Sequence, residues 1–286
     1  MNEIPNTVTD WLRGLGWGEV MGAALLSGGD ISVVRRLTLR SGRSVVLKTH
    51  AAAPPSFFAC EADGLAALRV PGGPRVPEVL LSAPAFLLLE DLRPSSSAAD
   101  FWPVLGEQLA VLHQTPSAQF GFAHDNFIGA TPQPNPWTVN GHEFFAEQRL
   151  RFQARRALDA GRLPFADLAR VERLCAMLPE RVPVQPPALL HGDLWRGNVI
   201  CDEEGQPVLI DPAAHWGWAE AEIGLTALFG GFPEVFYDAY TDANPLASGW
   251  RERLPIYNLY HLLNHLNLFG GGYVAQVRET LAGLGV

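Results

Sequence analysis

Between Leu189 and Ile200 the chain reads LLHGDLWRGNVI. An acid, Asp193, and an amide, Asn198, stand on a short loop held between two apolar runs. Further on, Asp211 closes a third apolar run, Val208-Leu209-Ile210, and Asp202-Glu203-Glu204-Gly205 supplies a turn before it. A hairpin pairing Val199-Ile200 with Val208-Ile210 would bring Asn198 and Asp211 to the same end of the ribbon. An amide oxygen and a carboxylate placed together suit a hard cation such as Mg2+, which takes a few oxygen ligands and completes its shell with water and phosphate. Asp193 is then left to orient a hydroxyl and accept its proton. The chemistry these residue types serve is phosphoryl transfer, whose loose, charged transition state needs positioning and charge neutralisation.

His191-Gly192-Asp193 followed by Asn198, then an aspartate after a strand, matches the catalytic loop and metal site of protein-kinase-like enzymes. Asp211-Pro212-Ala213 stands where protein kinases carry D-F-G. Such enzymes also need a strand lysine paired with a helix glutamate. Lys48, in SVVLKTH, and Glu61, in FFACEADGLAALR, are the candidates. Gly28 and Gly29, in LSGGDIS, can bring backbone close to phosphates, although the full G-x-G-x-x-G pattern is not there. FLLLEDL would be the strand entering the hinge, where the backbone at Glu90, Asp91 and Leu92 can hold adenine. Taken singly, each feature has a plainer reading: a turn at Gly28-Gly29, a surface lysine, a solvated glutamate. Their order along the chain is what points to a kinase.

The elements needed to position these residues are legible around them. TVTDWLRGLG reads as a short helix, and VVRRLTLR and SVVLKTH as a hairpin turning at Ser41-Gly42. FFACEADGLAALR reads as a helix with Phe58, Ala62, Leu65 and Leu68 on one face. PEVLLSAP and FLLLEDL read as strands. Proline and a serine run at Arg93-Pro94-Ser95-Ser96-Ser97 suggest a hinge, after which Asp100 would cap a helix. HEFFAEQRLRFQARRALD, the stretch from Asp167 to Leu178 and the end from Trp250 read as helices. Phe144, Phe145 and Phe152 are expected in the core. The fold class is α+β and two-lobed: a small β-rich lobe over residues 1–92 and a larger, mainly helical lobe over 93–286.

Composition bounds the function. The 286 residues are 48% hydrophobic and 18% charged, as in a soluble globular protein. The net charge of −9 and the lack of any basic block argue against nucleic acid. No apolar run is long enough to span a membrane. The N-terminus carries acids and no apolar core, and Cys60, Cys175 and Cys201 lie far apart without metal-type spacing. Both features point to a cytoplasmic protein with reduced thiols.

HGDLWRGN, VLIDPA, LTALFGGFP and YHLLNHLNLFGGGY together resemble the fructosamine kinase (ketosamine-3-kinase) family, and the likeness runs over nearly the whole chain. H-G-D-x-x-x-x-N alone is shared with aminoglycoside and choline kinases. Trp195, Pro212-Ala213 and the ending LNHLNLFGGGY are more specific. The resemblance implies a protein-kinase-like fold and ATP-dependent phosphorylation of the third hydroxyl of a ketosamine, a sugar joined to an amine by glycation. The phosphorylated adduct falls apart and frees the amine, so the implied role is repair. It implies Asp193 as base, Asn198 and Asp211 as magnesium ligands, Lys48 on the phosphates, Trp195 as a platform for the sugar adduct and His265 at the acceptor site. His261, four residues earlier, reads as a packing histidine, and a zinc pair lacks a third ligand. Trp137, Trp216 and Trp218 serve either the acceptor pocket or the core. Two departures stand out. Relatives often carry Arg-Glu-Ala-Asp where this chain has Ala219-Glu220-Ala221-Glu222, and some carry cysteine in the glycine loop where this chain has Asp30. An aminoglycoside- or choline-type kinase and a nucleotide-binding pseudokinase are the rival readings.

Overall fold

Lys48 lies in the middle of an antiparallel sheet because the residues on either side alternate. The computed structural model describes residues 4–26 and 31–286. After α1 (Asn6–Gly14) come β1 (Val20–Leu25), β2 (Val33–Leu39) and β3 (Ser44–Thr49). Gly42 takes φ +81° in the β2–β3 turn, a conformation that favours glycine. α2 (Phe57–Ala67) follows, then β4 (Val79–Ala83) and β5 (Phe86–Glu90). The strand order is β1-β2-β3-β5-β4, and every pair is antiparallel. On β3, Val45 and Leu47 face one buried side with Leu37, Leu39, Phe86 and Leu88, and α1 covers them with Val8 and Leu12. Period two then puts Val46 and Lys48 on the other side, toward α2 and the rest of the molecule. α2 buries Phe58, Leu65 and Leu68 as its spacing predicts.

β1 has no counterpart in the sequence reading. VMGAAL lacks clean alternation, and all its residues but Val20 are exposed; its place is set by backbone pairing with β2.

Beyond the sheet the chain is mainly helical. α3 (Phe101–His113) begins at Asp100, but the Asp100 side chain makes no capping hydrogen bond. A two-stranded ribbon, β6 (Asn126–Ile128) and β7 (Thr131–Gln133), follows α3. HEFFAEQRLRFQARRALD is helical throughout, as α4 (Gly141–Phe145), a wider π-helical turn over Ala146–Arg151, and α5 (Phe152–Asp159). Phe144 and Phe145 are core residues, whereas Phe152 is only half-buried beneath the Arg156 guanidinium. α6 (Phe165–Arg181) precedes β8 (Ala188–Leu190), β9 (Val199–Cys201), β10 (Pro207–Leu209) and β11 (His215–Gly217). α7 (Ala219–Leu228), α8 (Glu234–Ala243), α9 (Trp250–Phe269) and α10 (Gly272–Gly283) complete the chain. β9 pairs with β10 and β8 with β11. Among the described residues no helix is long and apolar enough to cross a membrane.

The two lobes meet at Arg75. Its guanidinium bonds Glu90 at 2.5 Å and Asp202 at 3.0 Å, and its carbonyl accepts the Leu209 N–H at 2.9 Å. A point on the sheet side is thereby fixed to the β9–β10 hairpin.

Candidate active site

The hairpin geometry read from the sequence is present. Leu209 is opposite Val199, and the Ile210 N–H donates to Asn198 O at 3.0 Å. Asn198 and Asp211 therefore share one end of the ribbon. Asp211 adopts φ +59°, in the left-handed region that costs a non-glycine residue energy. The Lys48 ammonium lies 2.6 Å from Glu61 Oε1 and 2.8 Å from Asp211 Oδ1. The strand lysine thus ties the α2 glutamate to the aspartate after β10. Burial opposes the lysine's charge, but Asp211 and Glu61 more than offset it, so Lys48 is held above its ordinary range and fully protonated.

Asn198 is oriented. Its amide Nδ2 donates to the Asp193 carbonyl at 2.8 Å and to Asp193 Oδ2 at 3.2 Å. Its Oδ1 is thereby left as the acceptor end, which is what a hard cation requires. Asp211, with Oδ1 on Lys48, has Oδ2 for the same use. Two hard oxygen donors beside a cationic lysine fit magnesium held jointly with phosphate; among the described residues no cluster of three or more metal-ligating acids, histidines or cysteines occurs.

Asp193 is pushed up to about 7. Burial is the main cause and the Asp211 charge the next; the Asn198 bond opposes them. A carboxylate with so few donors is basic enough to take a hydroxyl proton near neutral pH.

The loop carrying Asp193 is held from beneath by residues the sequence reading did not single out. Glu222, buried on α7, accepts the backbone N–H of His191 at 2.9 Å and of Gly192 at 2.6 Å. His113 of α3 bonds the same carboxylate at 3.0 Å and Tyr240 at 2.7 Å. His191 Nδ1 accepts the Asp193 N–H at 3.2 Å and its Nε2–H donates to Ile210 O at 2.9 Å, so the neutral ring joins the loop to the Asp211 strand. Burial keeps His191 below its usual range. Gly192 has φ +84°, and a Cβ there would stand 2.1 Å from Ala213 O. Beyond Asp211, Asn126 and Gln133 donate to the carbonyls of Ala214 at 2.8 Å and Ala213 at 3.1 Å. Tyr260 in turn donates to Gln133 at 2.6 Å. The signal for Glu222 was present in AEAE on an apolar helix, since a buried acid needs partners. Its partners come from 30 and 109 positions away and could not be guessed. The neighbouring Glu220 is taken by Arg253, at 2.7 and 2.8 Å, and by the Tyr257 hydroxyl at 2.7 Å.

A cleft of about 770 Å³ runs past Lys48, Glu61, Asp193, Asn198 and Asp211. Val34, Val46, Leu89, Ile200 and Ile210 line it near the hinge residues Glu90, Asp91 and Leu92. The hinge side chains are occupied: Glu90 by Arg75 and the Glu78 N–H, Asp91 by Arg36 at 2.8 Å. Burial would raise Asp91, but bonds from Ser44 and Arg36 prevail and lower it. The Glu90 N–H is bonded to Glu78 O, so of that residue's backbone only the carbonyl could read a base. Trp195 lines the same cleft, half-exposed, and Gly197 makes room for its ring: a Cβ there would lie 2.3 Å from the indole. His265 also lines it, stacked on Phe229 at 4.8 Å. Trp218 is in the core, Trp137 and Trp216 pack on each other at a tilt of 44°, and none of the three lines the cleft. His261 is buried against Tyr260, and burial drives it down to about 3. Gly28, Gly29 and Asp30 lie outside the described residues.

The sequence profile of the fructosamine kinase family matches residues 14–284. The chain belongs to the fructosamine kinase family. It is similar to a Synechocystis sp. protein assigned as a ketoamine kinase, at 44% identity over 82% of this chain and 81% of the relative. It is 36% identical to a chloroplastic protein-ribulosamine 3-kinase of Oryza sativa subsp. indica, over 92% of this chain and 78% of the relative. A crystal structure from Thermobifida fusca, assigned as a fructosamine-3-kinase, superposes with a TM-score of 0.89 at 35% identity, covering 99% of this chain and 100% of that one. The two-lobed α+β architecture is the family's protein-kinase-like fold.

Proposed function

We propose that this chain phosphorylates the 3-hydroxyl of a ketosamine, a fructosamine or ribulosamine-type glycation adduct, using ATP and Mg2+. The reading is carried by one observation: Lys48, Asp193, Asn198 and Asp211 converge on a single cleft in a member of a kinase family. Lys48, clamped by Glu61, contacts the α- and β-phosphates. Asn198 Oδ1 and Asp211 hold Mg2+, which when bound neutralises phosphate charge. Asp193 orients the acceptor hydroxyl and takes its proton as the phosphoryl group arrives. Gly28 and Gly29 are assigned to the phosphates by residue type alone, and Glu90, Asp91 and Leu92 frame the adenine. Trp195 carries the sugar and His265 contacts the acceptor. Residues 1–92 grip the nucleotide and residues 93–286 supply loop, metal and acceptor sites.

The ketosamine phosphorylated at O3 is prone to eliminate phosphate and free its amine, so the consequence is deglycation of a metabolite or protein. Three unpaired cysteines suit a cytoplasmic setting. The test is ATP consumption with Mg2+ against a fructosamine, a ribulosamine, choline and an aminoglycoside, with the position of the new phosphate identified. Phosphate on O3 of a ketosamine is expected. Turnover confined to choline or the aminoglycoside would refute the reading, and no turnover with any acceptor would favour a pseudokinase.

A further inference from the structure

Arg149, on the π-helical turn between α4 and α5, is a charged side chain withdrawn almost completely from water. Burying a guanidinium is costly unless something compensates for it. Arg149 forms no ion pair among the described residues, and the Asp125 charge acts on it only from a distance. Burial lowers it to about 10, so it stays charged at neutral pH. The guanidinium lies over the Phe144 ring at 4.5 Å. The bonds it makes go to neutral oxygens: Pro134 O at 2.8 Å, Gln148 O at 3.0 Å and Asn135 Oδ1 at 2.7 Å. Its Nε has no partner.

Asn135 begins a chain of buried amides that ends beside Asp211. A guanidinium only donates, so Asn135 must turn its oxygen to Arg149. Asn135 Nδ2 then donates to Asn126 Oδ1 at 2.9 Å, which leaves Asn126 Nδ2 for the Ala214 carbonyl at 2.8 Å. Gln133 Nε2 joins the same Asn126 oxygen at 2.8 Å and reaches Ala213 O at 3.1 Å. An amide taken singly fits either way round; a donor-only group at one end gives the whole chain its direction. The two carbonyls at the other end follow Asp211 by two and three residues. Asp211 is at φ +59°, a conformation that persists only where the surroundings over-determine it. Pro212, with its restricted φ, passes the hold on Ala213 and Ala214 back to Asp211.

Resting on the reading of the cleft as a kinase site, we propose that Arg149 is a positioning residue for the metal site. By setting the direction of the amide chain it holds the Asp211 backbone in the left-handed conformation, with the carboxylate on Lys48. The missing acid partner is part of the device, because a carboxylate beside Arg149 would compete with Asn135 for the guanidinium and release the chain.

The test is titration calorimetry of the full chain with AMP-PNP, in Mg2+ and in EDTA. In the parent, Mg2+ should tighten binding. Arg149→Met should bind within about 2-fold of the parent in EDTA and lose about 10-fold or more of the gain from Mg2+, as the loss of a group behind a metal ligand does. Arg149→Lys, also charged and donor-only, should keep more of that gain than Arg149→Met. Asn135→Asp keeps the test open should Arg149→Met fail to fold. It offers Arg149 a counter-charge but no N–H for Asn126, and it should lose a similar part of the gain. A gain from Mg2+ equal to the parent's in Arg149→Met or Asn135→Asp would overturn the proposal and leave the kinase reading intact. Equal weakening with and without Mg2+, which a merely structural role predicts, would do the same. If the parent itself shows no Mg2+-dependent nucleotide binding, the kinase reading fails, and the proposal with it.

Discussion

Two carboxylates in this molecule are tied to the same loop and behave in opposite ways. Glu222 is buried and Asp193 half-buried, and desolvation is the largest influence on each. Glu222 receives two backbone N–H groups and His113, and these donors outweigh burial and hold it below the usual carboxylate range. Asp193 receives one side-chain donor, Asn198, and faces the charge of Asp211, so it is pushed up to about 7. The number of donors, not the depth of burial, separates a carboxylate that holds a loop from one that is free to take a proton. The saturated acid supports the backbone of the unsaturated one.

The largest effect should come from removing the free base. Asp193→Asn is expected to lower kcat by about 10³-fold or more while nucleotide affinity, read by titration, stays near normal. Turnover within a few-fold of the parent would dissolve the contrast, because Asp193 would then be no more a base than Glu222.

Glu222→Gln probes the other member. Gln keeps one acceptor oxygen and turns an NH2 toward the remaining donors, leaving a buried N–H unmatched. A stability loss of ~3 kcal/mol is expected from breaking a buried charged network, with kcat down by about 10- to 100-fold as the loop loosens. Thermal unfolding and steady-state rates on the same sample measure both. A fall in kcat without loss of stability would mean that Glu222 takes part in the chemistry.

The smallest and sharpest difference is in pH dependence. In the proposed role Asp193 acts as the carboxylate, so kcat/KM should fall as pH drops below about 7. For stability the signs oppose. The folded pKa of Asp193 is raised, so the parent loses stability as pH rises from the ordinary 3.8 toward 7. Asp193→Asn should therefore melt higher than the parent at pH 8 without nucleotide, and the gain should vanish toward pH 4. Glu222 is lowered, so its contribution is complete above the ordinary 4.5 and is lost only in stronger acid. Glu222→Gln should melt lower at pH 8, and the deficit should shrink only at the acid end. Melting curves for both variants that shift in the same direction at pH 8 would break the comparison.

Much of the site was legible because its parts are local. Asp193 and Asn198 are five positions apart, and a short hairpin brings Asp211 to them. Lys48 and Glu61 lie on consecutive elements with clear periodicity. Less local features escaped. β1 has no pattern of its own and exists through its partner. Asp100 has the right residue type for a cap and makes no such bond, because residue type alone does not fix cap geometry. Phe152 sits on helical spacing, yet it lies just beyond a π-helical turn, which breaks the 3.6-residue period. Ala219-Glu220-Ala221-Glu222 registered only as a departure from relatives, whereas both glutamates are buried and fully engaged.

The sequence by itself determined which residues are the candidates for the chemistry, since residue type and short spacing are properties of the chain, and it determined the family through motifs spread along its length. Only the tertiary structure decided how charged each group is and what holds it. The Lys48–Asp211 contact spans 163 positions, the His113–Glu222 contact 109, and burial is a property of the packed molecule. A carboxylate becomes a base or a bracket according to how many donors folding brings to it, and no window of sequence contains them all.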